Sequence, residues 1–141
     1  VIDYRQEDFV GRVREMTGGE GVDVILDMVG GDYLPKDVRL LRRDGRLLLI
    51  AFLAGSTVNF DFMPVMMKRL TITGSTMRAR SFAEKAAICD ALRGAVWPAL
   101  ADGTLRTHIG ATFPLARAGE AHRLMESGRL IGKIVLDVGG A

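Results

Sequence analysis

VDVILDMVGGDYL, residues 22–34, is the stretch on which the fold turns. Its first part, residues 22–29, is too short and too rich in β-branched residues for a comfortable helix. It is apolar on both faces, as expected of a central strand in a parallel sheet. The run stops on Gly30 and Gly31, which free the backbone for a tight turn. Late in the run, Asp27 faces the strand-end crevice on periodicity. No neighbouring group in the sequence would tune it for proton transfer, so it reads as an acceptor for nearby backbone or hydroxyl donors and not as a catalytic carboxylate.

Working outward, residues 6–17 put Phe9, Val10, Val13 and Met16 at helical spacing, with Gly18 and Gly19 to end the helix. The helical period returns over residues 33–41, Asp44-Gly45 supplies a turn, and RLLLIAF, residues 46–52, is a second doubly buried strand. Helices alternating with nearly continuous apolar strands imply β-α-β units, a parallel sheet with flanking helices and an α/β fold. Residues 63–68 form a short helix opened near Pro64, and RLTITGST, residues 69–76, follows as a period-2 strand suited to a sheet edge. Ser81 caps a helix over residues 82–101, with Glu84 in capping-box position and Pro98 kinking it or opening its last turn. A strand over residues 106–113, a helix over 116–127 and a terminal strand over 133–138 complete the chain. The opening residues, from Val1, read as already inside a strand, which suggests a piece of something longer.

Composition narrows the function. A chain of 141 residues, 48% hydrophobic, suits one domain with a sizeable core, and its net charge of +2 gives no support for nucleic-acid binding. One cysteine, Cys89, and two histidines, His108 and His122, exclude a disulfide framework and fall short of a structural zinc site. The longest apolar run, RLLLIAFLAG, is half of what a membrane helix needs, and the start does not resemble a signal peptide. A reduced, cytoplasmic protein is expected. His108 and His122 read as surface residues, Met63, Met66 and Met67 as a packing or subunit-contact surface, and Trp97 as core or interface filler.

Three strand ends carry small residues: Val29-Gly30-Gly31, Ala54-Gly55-Ser56 and Gly74-Ser75-Thr76. In a doubly wound sheet this is the side on which cofactors bind. The phosphate-binding fingerprint G-x-G-x-x-G is absent, since Gly18-Gly19-Glu20-Gly21 follows a helix and precedes a strand.

VIDYRQEDF, TGGEGVDVILDMVGGDYL, LLRRDGRLLLIAFLAG, LTITGSTMR and FPLARAGEAHRLMESGRLIGKIVLDV, in that order, resemble the second half of the quinone oxidoreductase, or zeta-crystallin-like, branch of the medium-chain dehydrogenase/reductase superfamily. The resemblance implies a truncated Rossmann-like domain whose terminal strand returns to a GroES-like catalytic domain. It implies an NADPH-dependent, zinc-independent reductase acting on quinone or conjugated carbonyl acceptors. By the same likeness, Tyr4 lies near the 2′-phosphate end of NADPH, Val29 and Gly30 line the strand end, and Phe52, Leu53, Ala54 and Gly55 approach the nicotinamide half. Ser75, Thr76 and Met77 face the carboxamide, and Gly132 and Lys133 approach the cofactor where the chain re-enters the catalytic domain. Segments belonging to the first half are missing from these residues, so no catalytic residue is assigned and the chain is expected to be inactive alone. The strand LTITGSTM, residues 70–77, would be exposed at a sheet edge and resembles the one that continues the sheet across the dimer in this superfamily. A dimerising module without catalytic activity is therefore the second expectation.

Overall fold

The structure, a computed structural model, describes residues 1–139. The chain divides into two compact units, Val1–Arg80 and Ser81–Ala141, where length alone suggested one domain.

In the first unit, α1 (Phe9–Met16) begins at Asp8, whose carboxylate accepts the backbone N–H groups of Val10 and Gly11. That satisfies two donors a helix start otherwise leaves open. The helix stops at Gly18 and Gly19, both with positive φ, as the sequence predicts. Strand β1 (Val22–Asp27) follows, then a 3-10 turn (Gly31–Tyr33) running into α2 (Leu34–Leu40), then β2 (Leu41–Leu49). Helix α3 (Met63–Lys68) has Pro64 in its first turn and leads to β3 (Thr71–Gly74). All pairings are parallel and the strand order is β1-β2-β3.

Two details differ from the sequence reading. The opening residues are not a strand, and β1 lies at a sheet edge instead of the centre, a place held by β2. Val24 and Leu26, on the face opposite Ile25, are 61% and 57% exposed. The Asp44-Gly45 turn sits inside β2: Leu41 pairs with Val22 and Arg46 with Val24, so residues 42–45 bulge out between two registers. Asp44 takes φ 63° there, and Arg69 holds its carboxylate. The expected edge position of β3 is what the sheet order shows.

Packing explains why β2 is central. Val38, Leu41 and Leu47 are buried together, and Val22, Ile25, Leu34, Leu49, Val65 and Ile72 close around them. Leu47 lies between Ile25 and Ile72 in register, so the helix-covered face of all three strands meets in one layer. Lys68 ties α3 to this layer by donating to the Val38, Arg39 and Leu41 carbonyls, the open C-terminal end of α2.

The second unit begins with α4 (Phe82–Ala95), whose Ser81–Glu84 capping box is complete. The helix breaks at Val96, and Pro98 sits in the first turn of a separate helix α5 (Trp97–Ala101), where its missing N–H costs nothing. Trp97 is 57% exposed and does not fill a core within this chain. Strands β4 (Ile109–Pro114) and β5 (Lys133–Asp137) pair in parallel, connected by α6 (Ala118–Glu126). Among the described residues, no helix is long and apolar enough to cross a membrane.

Candidate functional site

The site is built where β1, β2 and β3 end on the same side of the parallel sheet. Beyond Asp27 the chain does not splay away from β2. Ile50 N–H donates to the Asp27 carbonyl, Leu53 N–H to Met28 and Ala54 N–H to Val29, so the two strand-end loops continue as a zipped pair. Gly31 N–H donates to Gly55 in the return direction. The approach is close enough to demand glycine: Gly30 has φ 67° and ψ −151°, and a Cβ on it would stand 2.7 Å from the Gly55 oxygen and 2.8 Å from the Phe52 ring.

Asp27 holds this turn from below. Its two carboxylate oxygens accept Val29 N–H at 2.6 Å and Gly30 N–H at 2.9 Å, and the side chain is buried. The structural role read from the sequence is the one observed.

Two cavities flank the zipped loops. The larger, of about 560 Å³, is lined by Ile2, Tyr4, Phe9, Val29, Tyr33, Leu53 and Ala54. The Phe9 and Tyr33 rings stack within its wall at 5.5 Å, with the Lys36 ammonium above both. The second, of about 440 Å³, is lined by Leu49, Ile50, Ala51, Phe52, Gly74, Ser75 and Thr76. Of the twelve candidate residues, Tyr4, Val29, Leu53 and Ala54 thus share one cavity, and Phe52, Ser75 and Thr76 share the other. Gly30 and Gly55 form the turn between them, while Met77 lines neither cavity.

Gly132 and Lys133 belong to the second unit. There Gly132 has φ 101°, its absent Cβ would meet the His108 carbonyl oxygen at 2.5 Å, and Lys133 N–H donates to that same oxygen. These two residues fix the entry of β5 against β4. His108 and His122 are exposed, as predicted. Among the described residues, no group of three or more His, Cys, Asp or Glu side chains is placed to hold a metal ion.

Sequence reasoning missed Ile2, Phe9 and Tyr33 as cavity walls, because Phe9 and Tyr33 meet only through the packing of α1 on α2. It also missed Asp37, buried in α2 with one carboxylate oxygen that no donor reaches. Burial, reinforced by the nearby charge of Asp27 and opposed by Lys36, pushes the Asp37 carboxyl up to about 7.

Comparison with known proteins agrees with this architecture. The family model described as zinc-binding dehydrogenase matches residues 1–136. A 2-haloacrylate reductase from Burkholderia sp. is 33% identical over 139 residues, covering 96% of this chain and 40% of that protein. The human quinone oxidoreductase is 26% identical over 137 residues, with the same two coverages. A mycobacterial protein solved in complex with NADPH superposes with a TM-score of 0.69 at 27% identity, over 96% of this chain and 40% of that one. The chain therefore spans about two fifths of the length of these relatives.

Proposed function

Because the chain belongs to the zinc-binding dehydrogenase family, and is related there to quinone oxidoreductases and a 2-haloacrylate reductase, we propose that the whole protein transfers hydride from NADPH to a quinone or another conjugated carbonyl acceptor. The observation that carries this reading is the convergence of three parallel strand ends on two adjoining cavities, the position in which open α/β sheets bind nucleotides. The apolar lining and aromatic side chains of the larger cavity suit a nucleoside.

In this reading Tyr4 donates its phenol hydrogen to a phosphate oxygen, and Val29, Leu53 and Ala54 pack the cofactor's apolar faces. Gly30 and Gly55 keep the strand ends low enough for a ligand to lie across them. Phe52 walls the second cavity, where the Ser75 and Thr76 hydroxyls are suited to fix an amide group, with Met77 following them in the chain. NADPH supplies the hydride when bound, and these residues contribute position and orientation.

The test is NADPH oxidation by the whole protein with a benzoquinone, an enone and 2-chloroacrylate as acceptors, with NADH in parallel. Acceptor-dependent oxidation is expected with at least one. Its absence with all three overturns the reading, and equal use of NADH overturns the preference for NADPH.

A second reading is a homodimer formed through β3, which lies at the end of the sheet order. Light scattering at rising concentration checks it, and a persistent monomer sinks it.

A further inference from the structure

Two cations rest on the rings that wall the larger cavity. Tyr33 and Lys36 are three residues apart at the start of α2 and so lie on one face, and α1 brings Phe9 onto the same ring. The half-buried Lys36 thereby holds its ammonium 5.0 Å from the Tyr33 ring centroid and 5.7 Å from that of Phe9. Arg5 lies over the Tyr4 ring at 5.8 Å. A ring face attracts a cation and fixes its place without cancelling its charge. Among the described residues, neither side chain forms an ion pair with a carboxylate. Acids nearby in the chain are otherwise engaged: Asp3 accepts the Arg5 backbone N–H and the Gln6 amide, Asp8 caps α1, and Asp37 is buried.

The cavity lining supplies no charge of its own, being apolar but for the Tyr4 and Tyr33 phenols. An anion held there must be met by the cations on its walls. In a dinucleotide the diphosphate joins the two nucleosides, so it crosses the turn at Gly30 and Gly55 between the two cavities. Tyr4, Phe9 and Tyr33 line the larger cavity only. A cation seated on those rings therefore faces a phosphate carried by the nucleoside itself.

We propose that Lys36, supported by Arg5, is the specificity-determining cation of the larger cavity and takes a phosphate monoester on the ribose of the bound nucleoside, the group that distinguishes NADPH from NADH. The inference rests on the nucleoside reading of that cavity. Lys36 supplies a point charge, Arg5 a planar fork and Tyr4 a neutral donor, a set suited to a dianionic group.

The test is calorimetric binding of adenosine 2′,5′-bisphosphate and adenosine 5′-monophosphate to the whole protein. Neither probe can transfer hydride, so the result is separate from that of NADPH oxidation. The wild type should prefer the bisphosphate, and the preference should shrink as salt rises. Lys36→Met, which keeps the stem, should weaken the bisphosphate by roughly ten- to a hundredfold and leave the monophosphate almost unchanged. Lys36→Arg should keep the preference, and Arg5→Gln, in the exposed opening segment, should reduce it by less than Lys36→Met does. A wild type without preference, or a Lys36→Met variant that weakens both probes equally or neither, overturns the proposal and leaves the hydride-transfer reading standing wherever NADPH oxidation persists. A wild type that binds neither probe overturns the nucleoside reading of the cavity, and the proposal with it.

Discussion

Asp37→Asn should make the protein relatively more stable as pH rises, and by an amount the structure fixes. The Asp37 carboxyl titrates at about 7 when folded against an ordinary 3.8. Its folded state therefore keeps a proton that the unfolded chain gives up between those values. The stability this contributes is fully present below pH 3.8, declines as pH rises to about 7, and is constant beyond. The slope in that window is about 1.4 kcal/mol per pH unit, which sums to about 4 kcal/mol as an upper value. Asparagine has nearly the same shape and no titration. The difference in unfolding free energy, variant minus wild type, should thus climb through this window and flatten on either side. Burying an amide where no donor or acceptor waits adds an offset, but an offset does not vary with pH. The assay is urea unfolding at a series of pH values, read at the Val38 and Leu47 amides so that the first unit is followed by itself. Contributions from carboxylates distant from Asp37 cancel between the two proteins. A difference that stays level between pH 4 and 7 would refute the assignment of a neutral, buried Asp37.

Gly30→Ala and Gly55→Ala separate strain from collision at the strand ends. Both residues have positive φ, which costs a non-glycine residue about 1–3 kcal/mol, but only the Gly30 Cβ meets neighbours, with nothing within 4 Å of that at Gly55. Denaturant titration should find Gly30→Ala the worse by a further 1–3 kcal/mol or so, and equal costs would show that the loops are not zipped. Lys68→Met keeps the stem and removes the ammonium from the Val38, Arg39 and Leu41 carbonyls; a loss of about 1–2 kcal/mol from the first unit is expected by the same method. Ser81→Ala removes the α4 capping box and should cost about 1 kcal/mol, visible as earlier melting of helical circular dichroism.

What the sequence made legible was local chemistry. Pro64 at the start of α3, Ser81 with Glu84 at the start of α4, and Gly18-Gly19 at the end of α1 each act within one helical turn, and each element begins or ends where those residues require. The rank of a strand is another matter, because it depends on partners far away in the chain. Residues 22–29 are apolar on both faces, which suits a strand covered on both sides, yet the described residues cover only one, leaving Val24 and Leu26 exposed. The bulge at residues 42–45 was invisible for the same reason: a turn signal within a strand reads as a boundary until the pairing of Leu41 with Val22 is known. Glycine-ended strands disclosed the side on which the cavities lie. The cavity walls Phe9 and Tyr33, 24 residues apart, required the packing of α1 on α2.

Asp27 and Asp37 show why one buried acid was readable and the other was not. A carboxylate in an apolar strand is costly unless donors are supplied, and the nearest donors in sequence are the amides of the turn that follows. Asp27 two and three residues before Val29 and Gly30 is therefore its own explanation. Asp37 has no such local reason: on a short helix with Lys36 beside it and Arg39 two residues on, it reads as one more solvated charge. Only the closing of α2 on the sheet takes it from water, and no donor reaches one of its oxygens there. Burial raises the Asp37 carboxyl, the Asp27 charge adds to the shift and Lys36 opposes it, so the proton stays on Asp37 to about pH 7. A change at Asp27 must therefore be felt at Asp37 only in part, because burial is the larger cause of its raised carboxyl.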